Sequence, residues 1–190
     1  MSGRARTGAA GRRDVAVAVR ACLDQLDLPE GEAVPGWQEP EPGRFVVSTP
    51  GDAKLAIVSV LEARDYTVDV HTFVARRPEE HRENVYRWLL THNVTLHGIA
   101  FGLDQLGDVY LSGRIPTDEL SPEGLDRLLG AATDAADAGF RAVLELGYAS
   151  SIRREWAWRT SRGESLANLE MFRGLLGQPG PPAAGRDDGR

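Results

Sequence analysis

The stretch Val85–Tyr148, VYRWLLTHNVTLHGIAFGLDQLGDVYLSGRIPTDELSPEGLDRLLGAATDAADAGFRAVLELGY, reads as helix, strand, tight turn, strand, helix. Val85, Trp88, Leu89 and Leu90 form the apolar face of a helix that ends near His92-Asn93. Gly98–Leu103 and Asp108–Ile115 follow as a hairpin closed by Asp104-Gln105-Leu106-Gly107, where Gly107 takes the positive φ that such a turn needs. Ser121 as N-cap and Pro122 as first helical residue announce the next helix. Leu125, Leu128, Leu129, Ala132 and Ala136 give it a core face; Gly139 interrupts it before Phe140, Val143, Leu144 and Leu146 carry the pattern to Gly147.

Upstream, Phe45–Ser48, Lys54–Leu61 and Tyr66–Ala75 are separated by short turns and form an antiparallel meander. The middle run LAIVSVL is apolar on both faces and belongs in the sheet centre, whereas Tyr66, Val68, Val70 and Val74 alternate with Thr67, Asp69 and His71. A first helix opens at Asp14, sets Val15, Val19, Cys22 and Leu26 on one stripe, and stops at Leu28-Pro29-Glu30-Gly31. A polar loop runs from there to Gly43, and Pro78 opens the second helix.

The order α-βββ-α-ββ-α predicts an α+β two-layer sandwich with a five-strand antiparallel sheet buried on one face by helices. Thr67, Asp69, His71, Tyr110 and Arg114 are the expected exposed sheet positions. Ser151–Arg162 and Ser165–Leu176 read as additional helices, the second with a stripe of Leu166, Leu169, Phe172 and Leu176. The expected organisation is a tail over 1–13, a domain over 14–148, a helical extension over 149–176 and a second tail over 177–190. Both tails are Gly, Pro, Ala and Arg with almost nothing large and apolar to bury, and are expected to be disordered.

A chain of 190 residues, 42% apolar and 26% charged, suits one globular domain with a real core. It contains no apolar run of about 18 residues and no apolar stretch behind its N-terminal arginines, so the expectation is a cytoplasmic protein that does not engage membranes. Net charge is −6 and the basic side chains are scattered, which argues against nucleic acid. The single cysteine, Cys22, lies on a core stripe, where a buried inert thiol is expected.

No catalytic set converges. GxxxxGK[ST], GxGxxG after a strand, GxSxG and HExxH are all missing, which removes the minimal signatures of phosphate loops, dinucleotide sites, serine hydrolases and zincins. His71, His81, His92 and His97 lack tight ligand spacing. Asp104 and Asp108 bracket the hairpin turn, and turn chemistry explains them better than a cation site. The expectation is a non-enzymatic protein with no metal and no cofactor.

Two features suit binding. In SIRREWAWRT, Trp156 and Trp158 lie beside Arg153, Arg154 and Arg159, the aromatic and arginine composition of protein interfaces. The opposing reading turns Trp156 onto the domain and leaves the arginines to solvate the helix. The second feature is the sheet, which needs a cover for its free face or edge; a homodimer supplies one. A small-molecule pocket near Trp88, Phe101 and Tyr110 is the alternative.

From about Phe73 to Leu176, the segments FVARRPEEHRENVYRWLLTHNVTLHGIAFGLDQLGDVYLSGRIP, ELSPEGLDRLLGAATDAADAGF and LELGYASSIRREWAWRTSRGESLANLEMF resemble actinobacterial YbjN-domain proteins. The resemblance implies a fold like that of type III secretion chaperones, small dimers that hold an extended partner chain, and a chaperone-like or sensory regulatory role without a defined reaction. Gly124 departs from the acidic residue that similar sequences tend to carry there, which would complete a capping box with Ser121.

Overall fold

In the computed structural model, which describes residues 3–29 and 36–173, the elements follow the expected order with one addition. They are α1 (Gly3–Leu23), β1 (Trp37–Glu41), β2 (Arg44–Thr49), β3 (Ile57–Ala63), β4 (Thr67–Ala75), α2 (Arg82–Asn93), β5 (Ile99–Leu103), β6 (Val109–Pro116), α3 (Pro122–Gly147), α4 (Ala149–Arg162) and a 3₁₀ segment, Ala167–Phe172. All strand pairs are antiparallel, in the order β1-β2-β3-β4-β6-β5.

The sheet therefore has six strands rather than the expected five. The addition, β1, lies in the polar loop, where WQEPE shows no apolar alternation. It forms because it is an edge: Pro40 lacks an N–H and is tolerated only where one side of the strand has no neighbour. Trp37 anchors it, its ring 5.9 Å from that of Phe45. Glu39 ties it to α1 by accepting from Arg20 Nε at 3.1 Å, and also accepts from Gly43 N at 2.9 Å.

The structure carries α1 back from Asp14 to Gly3, so residues 3–13 of the expected N-terminal tail are helical. Ala and Arg are good helix formers without an apolar stripe. The tail 177–190, and Leu176 with it, lie outside the described residues. The second C-terminal helix is instead the short 3₁₀ segment.

Gly139 does not interrupt α3. It marks the helix's close approach to the sheet: a Cβ there would sit 2.7 Å from the Phe101 ring and 3.2 Å from Val74 Cγ1. Around this crossing lie two core clusters. Val19, Leu23, Phe45, Leu61, Val68 and Leu125 pack beneath α1. Val74, Val85, Leu89, Phe101, Val109 and Val143 pack beneath α2. Both clusters use one sheet face, as the alternating burial of β3 and β4 requires.

Candidate interaction surfaces

The outermost strand β5 runs beside α2, and between them the protein leaves apolar surface uncovered. Leu90 and Val94 on and just after α2, and Leu103 on β5, are 66%, 84% and 47% exposed. Leu90 was expected on the buried face, but each helical residue turns about 100°, so one directly after the buried Leu89 points away from the core. Tyr86, Leu89, Leu90, Phe101, Gly102 and Leu103 line a mostly apolar hollow of about 320 Å³. Asn93 caps the free edge of β5, its carboxamide accepting from Phe101 N and donating to Phe101 O.

The sequence-derived pocket is only partly assembled. Trp88 and Phe101 meet edge to face with ring centroids 6.0 Å apart, and Trp88 also stacks on His92 at 3.6 Å. Tyr110 does not join them. It neighbours the buried Leu111 on β6 and therefore points to the opposite sheet face, against Phe73 at 5.3 Å.

That opposite face carries Thr67, Asp69, His71, Tyr110 and Arg114, the five positions expected to be exposed; His71 and Arg114 are, whereas Thr67, Asp69 and Tyr110 are half-buried among their neighbours. Asp69 is its electrostatic centre, accepting from Arg114 Nε at 2.8 Å and Arg64 Nε at 3.1 Å. Burial alone would raise its pKa, but the two guanidiniums outweigh it and hold the carboxyl below its ordinary value. At the far end of β4, Lys54 Nζ donates to the carbonyls of Phe73 and Val74. Burial pushes the Lys54 ammonium pKa down, against the opposing pull of Asp137.

The α4 set is split. Trp156 and Ile152 are buried, while Trp158 is exposed beneath the Arg162 guanidinium, 4.8 Å from its ring centroid. Arg159 turns along its own helix to Glu155 at 2.6 Å and to the Ser165 carbonyl at 3.1 Å. Arg154 donates to Ser151 Oγ at 2.8 Å, and Arg153 is exposed. The start of α4 is held by the segment before α2: Glu80 accepts from Ser150 N and Oγ, and Glu79 from Ser151 Oγ. Of the five residues the sequence offered together, Arg153, Arg154 and Trp158 are exposed, Arg159 is half-buried and Trp156 is buried against the domain.

The turn aspartates do local work. Asp104 Oδ1 accepts from Leu106 N and Asp108 N, both at 2.9 Å, and Asp108 accepts from Arg77 N and Arg76 Nη1. Gly107 has φ +84°, as the turn requires. Burial pushes the Cys22 thiol pKa up, in keeping with an inert role. Sequence reasoning missed Asn93, Val94 and Leu103; the one available signal was Asn93 itself, a side-chain amide at the helix end facing an edge strand.

No described helix is long and apolar enough to cross a membrane. Residues 14–145 match the family model described as "YbjN: Putative bacterial sensory transduction regulator". An uncharacterised protein of Mycobacterium bovis is 46% identical over 71% of this chain and 76% of its own length. One from Mycobacterium leprae is 42% identical over 72% and 74%. Among solved structures, a chain of the heterodimeric ExoU–SpcU complex from the Pseudomonas aeruginosa type III secretion system is similar at 17% identity. Its TM-score is 0.43, over 64% of this chain and 94% of that one. A chain of the HopA1–SchA chaperone–effector complex has a TM-score of 0.43 at 14% identity, over 66% and 95%.

Proposed function

The chain belongs to the YbjN family, and on that premise we propose that it is a non-enzymatic, cytoplasmic protein-binding module that acts as a homodimer in a chaperone-like or regulatory role. One observation carries the reading: Leu90, Val94 and Leu103 are exposed together where α2 meets the edge strand β5. Single exposed apolar residues are ordinary, but grouped on adjacent elements they mark an interaction surface. A second copy related by a two-fold axis covers this surface with the same surface and buries both. Trp158, with Arg153 and Arg154, is a secondary contact for a partner chain.

Sedimentation of the full chain tests the dimer. The native protein should sediment as a dimer and Leu90→Glu/Val94→Glu as a folded monomer. A native monomer at tens of micromolar would remove the homodimer from the reading. The hollow of about 320 Å³ between α2 and β5 favours one other reading, a regulatory site for an apolar small molecule. A metabolite that raises the thermal midpoint of the native chain but not of Phe101→Ala would establish it.

A further inference from the structure

Lys54 is the only lysine among the 22 lysines and arginines of the chain. It stands between β2 and β3, beyond the point where β3 and β4 stop pairing, since their register runs from Ala63 with Val68 to Ser59 with Thr72. Successive carbonyls of a regular strand point to opposite neighbours, but β4 shifts register against β6 between Phe73 and Ala75. Lys54 Nζ donates to both carbonyls at that shift, Phe73 O at 2.9 Å and Val74 O at 3.2 Å. The ring centroids of Phe73 and Phe140 lie 5.0 and 5.4 Å from it. Its backbone is held too, because the Asp137 carboxylate accepts from Ala53 N at 2.9 Å and from Lys54 N at 3.1 Å. The amine is fixed in place, and its side chain is half-buried, not sealed off.

Two carbonyl acceptors complement a neutral amine better than an ammonium ion. The ion has three N–H bonds and the amine two, so giving up one proton leaves both carbonyls satisfied and turns the lone pair to the remaining tetrahedral position. Burial favours that neutral form, and the pull of Asp137 in the other direction is the smaller effect. A lysine so placed is a free-base nucleophile more of the time than one in water, whereas an arginine never becomes one. We propose that Lys54 is a modification site that takes an acyl group from a small acyl phosphate without an enzyme. The Nζ lone pair attacks the acyl carbon and the N–C bond forms. The C–O bond to phosphate breaks, inorganic phosphate leaves with that electron pair, and the surplus amine proton passes to water. The product is an uncharged amide with one N–H for two carbonyls, so one carbonyl loses its partner and both rings lose their cation. Acylation thereby releases the segment 50–56 from the end of β4.

Intact-mass spectrometry of the full chain incubated with millimolar acetyl phosphate near neutral pH tests this. Lys54→Arg, which leaves only the terminal amine, gives the background to subtract, and the guanidinium-unfolded chain gives the rate of an ordinary lysine. Lys54 of the native chain should be acetylated about threefold or more faster than in the unfolded chain, with a rate that levels off at a lower pH. In the acetylated chain, hydrogen exchange at the Ala53 and Lys54 amides, both bonded to Asp137, should quicken by about tenfold or more. Acetylation confined to the terminal amine overturns the inference, as does a native rate at or below the unfolded one. Unchanged exchange at Ala53 and Lys54 in the acetylated chain overturns the release of segment 50–56. Each of these outcomes leaves the protein-binding reading standing, because that reading uses neither Lys54 nor this segment.

Discussion

The side chain of Asn93 acts as a strand partner for the backbone of Phe101: its Oδ1 accepts from Phe101 N at 2.7 Å and its Nδ2 donates to Phe101 O at 3.2 Å. Both groups face away from β6, so the carboxamide occupies the place that the next strand's peptide bond would take.

Asn93→Ala should therefore act twice. It strips the partner from two half-buried backbone groups, at a cost of about 1–3 kcal/mol in urea unfolding. It also exposes an unpaired edge beside Leu103, so turbidity or thioflavin binding should rise during mild heating, where the native chain stays clear.

Two glycines of α3 should respond with opposite sign to alanine. A Cβ at Gly130 meets nothing within 4 Å, and Gly130→Ala should stabilise by ~0.5–1 kcal/mol through helix propensity alone. At Gly139 the same atom meets Phe101 and Val74, and overpacking of about 1–3 kcal/mol should outweigh that gain. In a Phe101→Leu background, Gly139→Ala should recover most of the difference in thermal midpoint.

Acid should loosen the sheet face through Asp69. Its folded-state pKa is below the unfolded value, so its stabilisation is fully present above about pH 4 and is lost as pH falls through the folded value. Arg64→Gln/Arg114→Gln removes the cause of the depression. The slope of unfolding free energy against pH below about 4 should be shallower in the double variant, and equal slopes would show that the ion pairs do not hold Asp69 ionised.

We propose that the extension beyond 148 is separable from the domain over 14–148. Ending the chain after Tyr148 keeps its hydroxyl's bond to the Arg77 carbonyl and sacrifices the grip of Glu79 and Glu80 on α4. Circular dichroism should show a cooperative transition at a lower midpoint; a non-cooperative melt would make Ile152 and Trp156 part of the core.

What could be read in the sequence follows how each residue carries its signal. Ser121-Pro122 states a helix start locally, and Ser121 Oγ does accept from Gly124 N at 3.1 Å. Val68, Val70 and Val74 state burial through alternation, and the α+β sandwich followed from such strands and the helices between them. Nothing local marks Trp37–Glu41 as a strand, because a polar edge exists only through the register of its neighbour Val47. The candidate surfaces were harder still. Trp156 and Trp158 look alike in the chain, and only the direction of α4 separates buried from exposed. The row of ion pairs on the open sheet face needs Arg44, Glu62, Arg64, Asp69 and Arg114 side by side, a relation made by pairing across β2, β3, β4 and β6.

The strand order also sets a timetable. Because β6 and not β5 lies against β4, one side of β4 has no partner in a nascent chain that has reached Ala75. At ~5–20 residues per second, the roughly 40 residues to Pro116 take about 2–8 s to be made, and through that interval a nine-residue strand with alternating valines stands open on the ribosome.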